Sequence, residues 1–164
     1  MTIDLEAAAA ERDRLRATYL RERPDRPPST ARGIHHVALI CSNVEQTIRF
    51  YQDLLGFPLV ELFENRDYKG STHLFFDLGH DNPLAFFDFP DLGLGPYAEV
   101  LGGLHHVAIS IDQAQWDAAR ARLEVAGIPT QIESGTSLYF SDPDGVRLEL
   151  IAEGLGSLYG TPLH

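Results

Sequence analysis

From Gly33 onward the chain sets short apolar runs around one amphipathic stretch, and then does so again. "IHHVALI" is a strand-type run. "SNVEQTIRFYQDLLG" spaces Val44, Ile48, Tyr51 and Leu55 at helical intervals, with Ser42 or Asn43 placed to cap it and Gly56 to stop it. Three strand-like runs follow, "FPLVELFE", "STHLFFDLG" and "PLAFFDF", divided by turn residues such as "HDNP". After "PDLGLGPYAEVLGG" the order returns. "LHHVAISI" is a strand, "DQAQWDAARARLEVAG" a helix capped by Asp112, and "IPTQIES", "SLYFSD" and "GVRLELIA" complete the set. Gly33 corresponds to Gly103, His36 to His106, and Gly-Phe-Pro at 56–58 to Gly-Ile-Pro at 127–129. The chain therefore carries a duplicated β-α-β-β-β unit. Two units are too few for a solenoid. The expectation is an α+β fold in which two βαβββ modules, 33–90 and 103–153, pair into an open mixed-sheet barrel around a cleft, followed by a C-terminal tail to 164.

Residues 1–32 read differently. Positions 4–22 are rich in helix formers but hold few large apolar residues: Leu5, Leu15, Tyr19 and Leu20. Three prolines in "RPDRPPSTARG" end any helix. This segment is read as an arm and linker, either a loose tail or a clasp that reaches a partner subunit.

Charge narrows the partners. The formal net charge is −11. The arm holds 7 basic against 6 acidic residues and the remainder holds 6 against 18, with Lys69 the only lysine. Such a surface repels phosphate backbones, so nucleic acid is excluded as a partner. One cysteine, Cys41, allows no internal disulfide, and it sits in an apolar run as a small buried hydrophobe would. No apolar run approaches about 18 residues and no leader pattern is visible. The expectation is a soluble cytoplasmic protein that does not span a membrane.

The candidate chemistry lies in the paired histidines. Along a strand, neighbours face opposite ways, so His35 and His36 cannot share a cavity. Val37 and Leu39 share the face of His35; Ala38 and Ile40 share that of His36. In the last strand Val146, Leu148 and Leu150 form an apolar face, which turns Glu149 the other way with Arg147 and Ile151. If the modules are related by a pseudo-twofold, His36 and His106 converge in the cleft with Glu149 nearby. Two imidazoles and one carboxylate make a facial metal site with open positions for substrate, water or oxygen. The alternative is a duplicated histidine retained for packing at an interface.

"HHVAL…N…TIRFYQDLLGF", "LHHVAI" and "SLYFSDPDGVRLELI" resemble the vicinal oxygen chelate superfamily over 33–153. That group contains glyoxalase I, bleomycin-resistance proteins, fosfomycin-resistance transferases and extradiol dioxygenases. The resemblance implies His36, His106 and Glu149 as ligands of a divalent metal. With Asp81-Asn82 matched to Asp144-Gly145, the fourth ligand position of the glyoxalase and epimerase branches falls on Phe86, which cannot bind a metal. Three ligands resemble the dioxygenases and the fosfomycin transferases. Tyr139, ten residues before Glu149, matches a dioxygenase tyrosine that hydrogen-bonds substrate, and is the expected catalytic residue. A dioxygenase histidine that precedes the "LAF" strand falls here near Asn82, and another falls in "QIESGTS". His73 is the candidate substitute acid or base. Asn82, Phe86 and His73 are thus the expected substrate-binding positions.

These resemblances imply a metal-dependent oxygenase acting on a small aromatic or vicinal-oxygen substrate, with Fe(II) favoured and Mn, Ni or Zn able to take its place. The alternatives are a lyase, isomerase or thiol transferase, or a metal-free drug-binding module. With few cations in the domain, an anionic substrate is expected to be poorly served. Since chains of this kind commonly pair, a homodimer is expected.

Overall fold

The computed structural model describes residues 3–163, in two units that meet at Gly33 and Ile34. The first unit holds α1 (Leu5–Tyr19) and a single 3-10 turn at Arg23–Asp25. The Asp4 carboxylate accepts from the Glu6 and Ala7 amides at 3.1 and 3.0 Å and so caps α1. No residue of α1 is buried, because its sequence never assembles an apolar face.

The second unit contains the duplication. Its first half runs β1 (Val37–Ile40), α2 (Val44–Ile48), β2 (Leu59–Glu64), β3 (Thr72–Asp77) and β4 (Pro83–Phe87). Asn43 caps α2 by accepting from the Gln46 amide at 2.9 Å. From Arg49 to Leu54 the helix widens into π-type turns that bury Phe50 and Tyr51. The second half runs β5 (Val107–Ser110), α3 (Gln113–Val125), β6 (Gln131–Glu133), β7 (Ser137–Ser141) and β8 (Arg147–Ile151). A short hairpin, β9 (Ser157–Leu158) and β10 (Thr161–Pro162), follows. The two main sheets are ordered β1-β4-β3-β2 and β5-β8-β7-β6. In each, the first strand runs parallel to the fourth and the other pairs are antiparallel. The fold is α+β, built from two βαβββ units with mixed four-stranded sheets.

One core serves both halves. Leu74, Phe76, Leu84 and Phe86 of the first sheet and Leu138, Leu148 and Leu150 of the second are buried in it. They pack with Tyr51, Leu55, Trp116 and Leu123 from the helices. Polar contacts also tie the halves. The Tyr51 hydroxyl, fully buried, donates to Asp142 at 3.0 Å. The Arg122 guanidinium donates to the Leu54 carbonyl at 2.5 Å, and the Ser42 amide to Asp144 at 3.1 Å. Asp142 also accepts from the Asp144 and Val146 amides at 2.9 and 2.8 Å, which shapes the turn before β8. Cys41 is buried as expected, and burial pushes its thiol up to about 11, so it is inert at neutral pH.

Asp142→Ala strands a buried hydroxyl and two amides, and is expected to lower unfolding free energy by about 3 kcal/mol. Arg49→Ala removes only the exposed 2.5 Å pair with Glu45 and is expected to cost about 0.5 kcal/mol or less. Urea denaturation compares the two. Burial also raises the Asp142 carboxyl above its ordinary range, so the folded state holds that proton more tightly than the unfolded chain. This contribution is complete below the ordinary aspartate pKa of about 3.9 and is lost as the pH rises through the folded value. The stability of wild type relative to Asp142→Asn should accordingly fall across that window.

Candidate functional site

Helices cover one face of each sheet, and the other face is left open. In the second sheet the open face carries His106 just ahead of β5, Arg147, Glu149 and Ile151 on β8, and Ser137 and Tyr139 on β7. Register places Glu149 between Ala108 and Tyr139. His106 Nε2 lies 3.0 Å from Glu149 Oε2. Glu149 is only 5% exposed, yet its partner is this imidazole rather than a core group. An imidazole nitrogen and a carboxylate oxygen at this separation are suited to one divalent cation.

Tyr139 presents its ring edge to His106, with centroids 5.8 Å apart at 79°. Its neighbours Leu138 and Phe140 point into the core, so alternation holds and Tyr139 faces the candidate ligands. Desolvation and the Glu149 carboxylate raise its hydroxyl above the usual phenol range. The Arg147 guanidinium carbon stands 4.6 Å from the Tyr139 ring centre.

The first sheet repeats this plan with different residues. His36 precedes β1 as His106 precedes β5, and contacts His35 Nδ1-to-Nδ1 at 2.9 Å as His106 contacts His105 at 2.6 Å. Ala38 pairs with Ala85 where Ala108 pairs with Glu149. Position by position, Ala85 therefore stands for Glu149, Phe75 for Tyr139, Pro83 for Arg147 and His73 for Ser137. The edge of the His36 ring approaches Phe75, at 6.3 Å and 67°. What is ionic in the second sheet is aromatic in the first: His73 stacks on Phe87 at 3.9 Å and lies 4.2 Å from Phe75, with Phe63 edge-on at 5.3 Å. Desolvation, and then His36, lower the His73 pKa, and its Nε2 is enclosed without a partner. A neutral ring locked among three phenyl groups acts chiefly as part of that aromatic surface.

The structure changes several of these expectations. Matching Asp81-Asn82 to Asp144-Gly145 displaces the comparison of the modules by one residue. The turns are of equal length, and Asp81, with φ +57°, occupies the place of Gly145, with φ +90°. The residue equivalent to Glu149 is thus Ala85, and no side-chain donor stands there. Phe86 lies on the helix side, fully buried between Tyr51 and Phe76, and is not open to a substrate. Asn82 closes the β3–β4 turn, donating from Nδ2 to the His80 carbonyl at 3.0 Å and from its amide to Gly79. Nor do His36 and His106 meet within one chain: among the described residues, no three His, Cys, Asp or Glu side chains lie close enough to share a metal. Two wall residues, Phe63 and Arg147, were not among the sequence candidates, although Arg147 stands two residues before Glu149 on the same strand face.

Comparison with known proteins agrees with this architecture. Residues 33–150 match the sequence family "Glyoxalase/Bleomycin resistance protein/Dioxygenase superfamily". Uncharacterized protein YwkD of Bacillus subtilis is 32% identical over 123 residues, covering 73% of this chain and 95% of its own. The putative ring-cleaving dioxygenase MhqA of the same organism is 27% identical over 80% of this chain, which spans only 43% of MhqA. Other relatives carry the names metallothiol transferase and lactoylglutathione lyase. Among solved structures, the fosfomycin resistance protein FosX from Mesorhizobium loti aligns with a TM-score of 0.60 at 24% identity, over 77% of this chain and 95% of its own. Members of this group are mostly metal-dependent enzymes with small-molecule substrates. The duplicated βαβββ halves thus have their counterpart in known proteins, and the chain belongs to the glyoxalase, bleomycin resistance and dioxygenase superfamily.

Proposed function

We propose that this chain is a metal-dependent enzyme whose site forms between two copies, with the His36 face of one set against the His106–Glu149 face of the other. The observation that supports this reading is the His106–Glu149 pair, which has no third donor beside it among the described residues, while an equivalent histidine stands on a second open face. Pairing by a twofold completes two His-His-Glu sets at once. His36 of one copy with His106 and Glu149 of the other would hold a divalent metal, which would supply Lewis acidity toward vicinal substrate oxygens and toward dioxygen. Fe(II) suits this donor set, and Mn, Ni or Zn can replace it.

The reaction proposed is an extradiol-type oxygenation of a small aromatic or vicinal-oxygen substrate. Phe63, Phe75, Phe87 and His73 offer a flat apolar wall for such a ring. Tyr139, protonated and beside Glu149, is placed to donate a hydrogen bond to a substrate oxygen. Ala85 at the position equivalent to Glu149 speaks against an isomerase with four side-chain ligands. The second reading is a thiol transferase or lyase in which the metal only polarises an oxyanion, favoured by the 32% identity to a metallothiol transferase of Shouchella clausii.

His106→Ala and Glu149→Gln are each expected to reduce Mn(II) affinity at least about 10-fold, read by calorimetric titration. The shared site has a sharper signature. Unfolding and refolding His36→Ala together with Glu149→Gln produces mixed dimers with one intact site of two. About a quarter of wild-type metal capacity returns for random pairing of isologous subunits; a site contained in one chain recovers none. Oxygen uptake with catechols and hydroquinones tests the chemistry on Fe(II)-loaded protein. Product formed equally fast without oxygen would exclude the oxygenase and favour the transferase or lyase.

A further inference from the structure

The cations of residues 34–163 are few, and most have visible work. Arg49 pairs with Glu45, Arg66 pairs with Asp67, and Arg122 binds two backbone carbonyls. Arg120 lies over Trp116, 6.0 Å from the ring centre, and Lys69 is exposed in the β2–β3 turn. Arg147 differs. It is half-buried on the open face of β8, two residues before Glu149, and no carboxylate among the described residues lies within ion-pair distance of it. This is unusual in a chain with 24 acidic residues. The nearest carboxylate along the strand, Glu149, is engaged by His106. The guanidinium instead rests on Tyr139 and borders a cavity of about 570 Å³ that Tyr97, Glu99 and Gln131 also line. The equivalent position in the first sheet is Pro83, so the duplication itself did not call for a cation there.

We infer that Arg147 recognises a carboxylate or phosphonate on the substrate, held beside the vicinal oxygens that the site chelates. This rests on the reading that the His106–Glu149 face lines the active site. A guanidinium presents a planar fork that binds an oxyanion through two parallel hydrogen bonds, and stacking on Tyr139 holds the fork's orientation before the ligand arrives. Overall composition argues against anionic substrates, but a single cation at the site outweighs distant acidic residues, which solvent and salt screen.

The test is calorimetric titration of Mn(II)-loaded and metal-free protein with three probes. These are 3,4-dihydroxybenzoate, 3,4-dihydroxyphenylphosphonate and the neutral 3,4-dihydroxybenzyl alcohol. Wild type is expected to bind at least one of the anions about 10-fold more tightly than the alcohol, and the stronger of the two shows which oxyanion fits. Arg147→Gln should remove the preference, Arg147→Lys should keep part of it, and Arg49→Gln, with the same change of net charge, should keep all of it. Equal affinity for all three probes in wild type, no binding of any, or a preference that survives Arg147→Gln or is lost equally in Arg49→Gln overturns the inference. Mn(II) uptake, read separately, distinguishes the two proposals. A charge preference that follows Arg147 in protein that takes up no Mn(II) sinks the metal site and leaves only the oxyanion recognition by Arg147 standing. Bound Mn(II) without that preference does the reverse.

Discussion

Each sheet in this protein has two faces, and the helices suffice to cover one. That limit sets the rest. Leu84 and Phe86, or Leu148 and Leu150, must be buried against Tyr51, Trp116 and Leu123, so strand alternation forces the residues between them onto the uncovered side. Glu149 does not reach the site through a loop or a helix end. It arrives there because its two neighbours are leucines. A one-residue slip in β8 would turn the carboxylate into the apolar core and both leucines out of it, so the hydrophobic core and the candidate metal pair hold the same register in place.

Duplication has left two such faces, and they have diverged in opposite directions. The backbone plan is retained down to the contact between adjacent histidines, 2.9 Å in one half and 2.6 Å in the other. The side chains are not. Glutamate, tyrosine and arginine of the second half stand where the first has alanine, phenylalanine and proline. One face is therefore suited to charge and proton transfer and the other to flat apolar surface. A cleft bounded by one of each supplies both kinds of contact, which two copies of either face do not.

Much of this was legible in the sequence because period-two alternation and the repeated His-His-Val-Ala pattern are local signals. They identified the modules, the burial of Leu148 and Leu150, and the orientation of Tyr139. Two features were hidden. The equivalence of Ala85 with Glu149 depends on which turn residue takes positive φ, and Asp81 does so without being glycine, so the eye matches aspartate to aspartate and slips by one. The separation of His36 from His106 within one chain is a matter of how the halves pack, and the contacts of Tyr51, Arg122 and Asp142 that join them span 67 to 91 positions. No window along the sequence contains those pairs.

The Tyr51–Asp142 hydrogen bond also bears on how this chain can be taken apart. Its donor belongs to the first half and its acceptor to the turn that delivers Arg147 and Glu149. Cut between the halves, the protein would strand a buried hydroxyl in one fragment and unmake the shape of the turn in the other, while both would expose what is now a shared apolar interior. The repeat began as a copy of something, but neither half is now a self-sufficient building block. Engineering that exchanges a single half with a relative would have to carry over the complementary side of this junction, because the hydrophobic surface each half lacks is stored in the other.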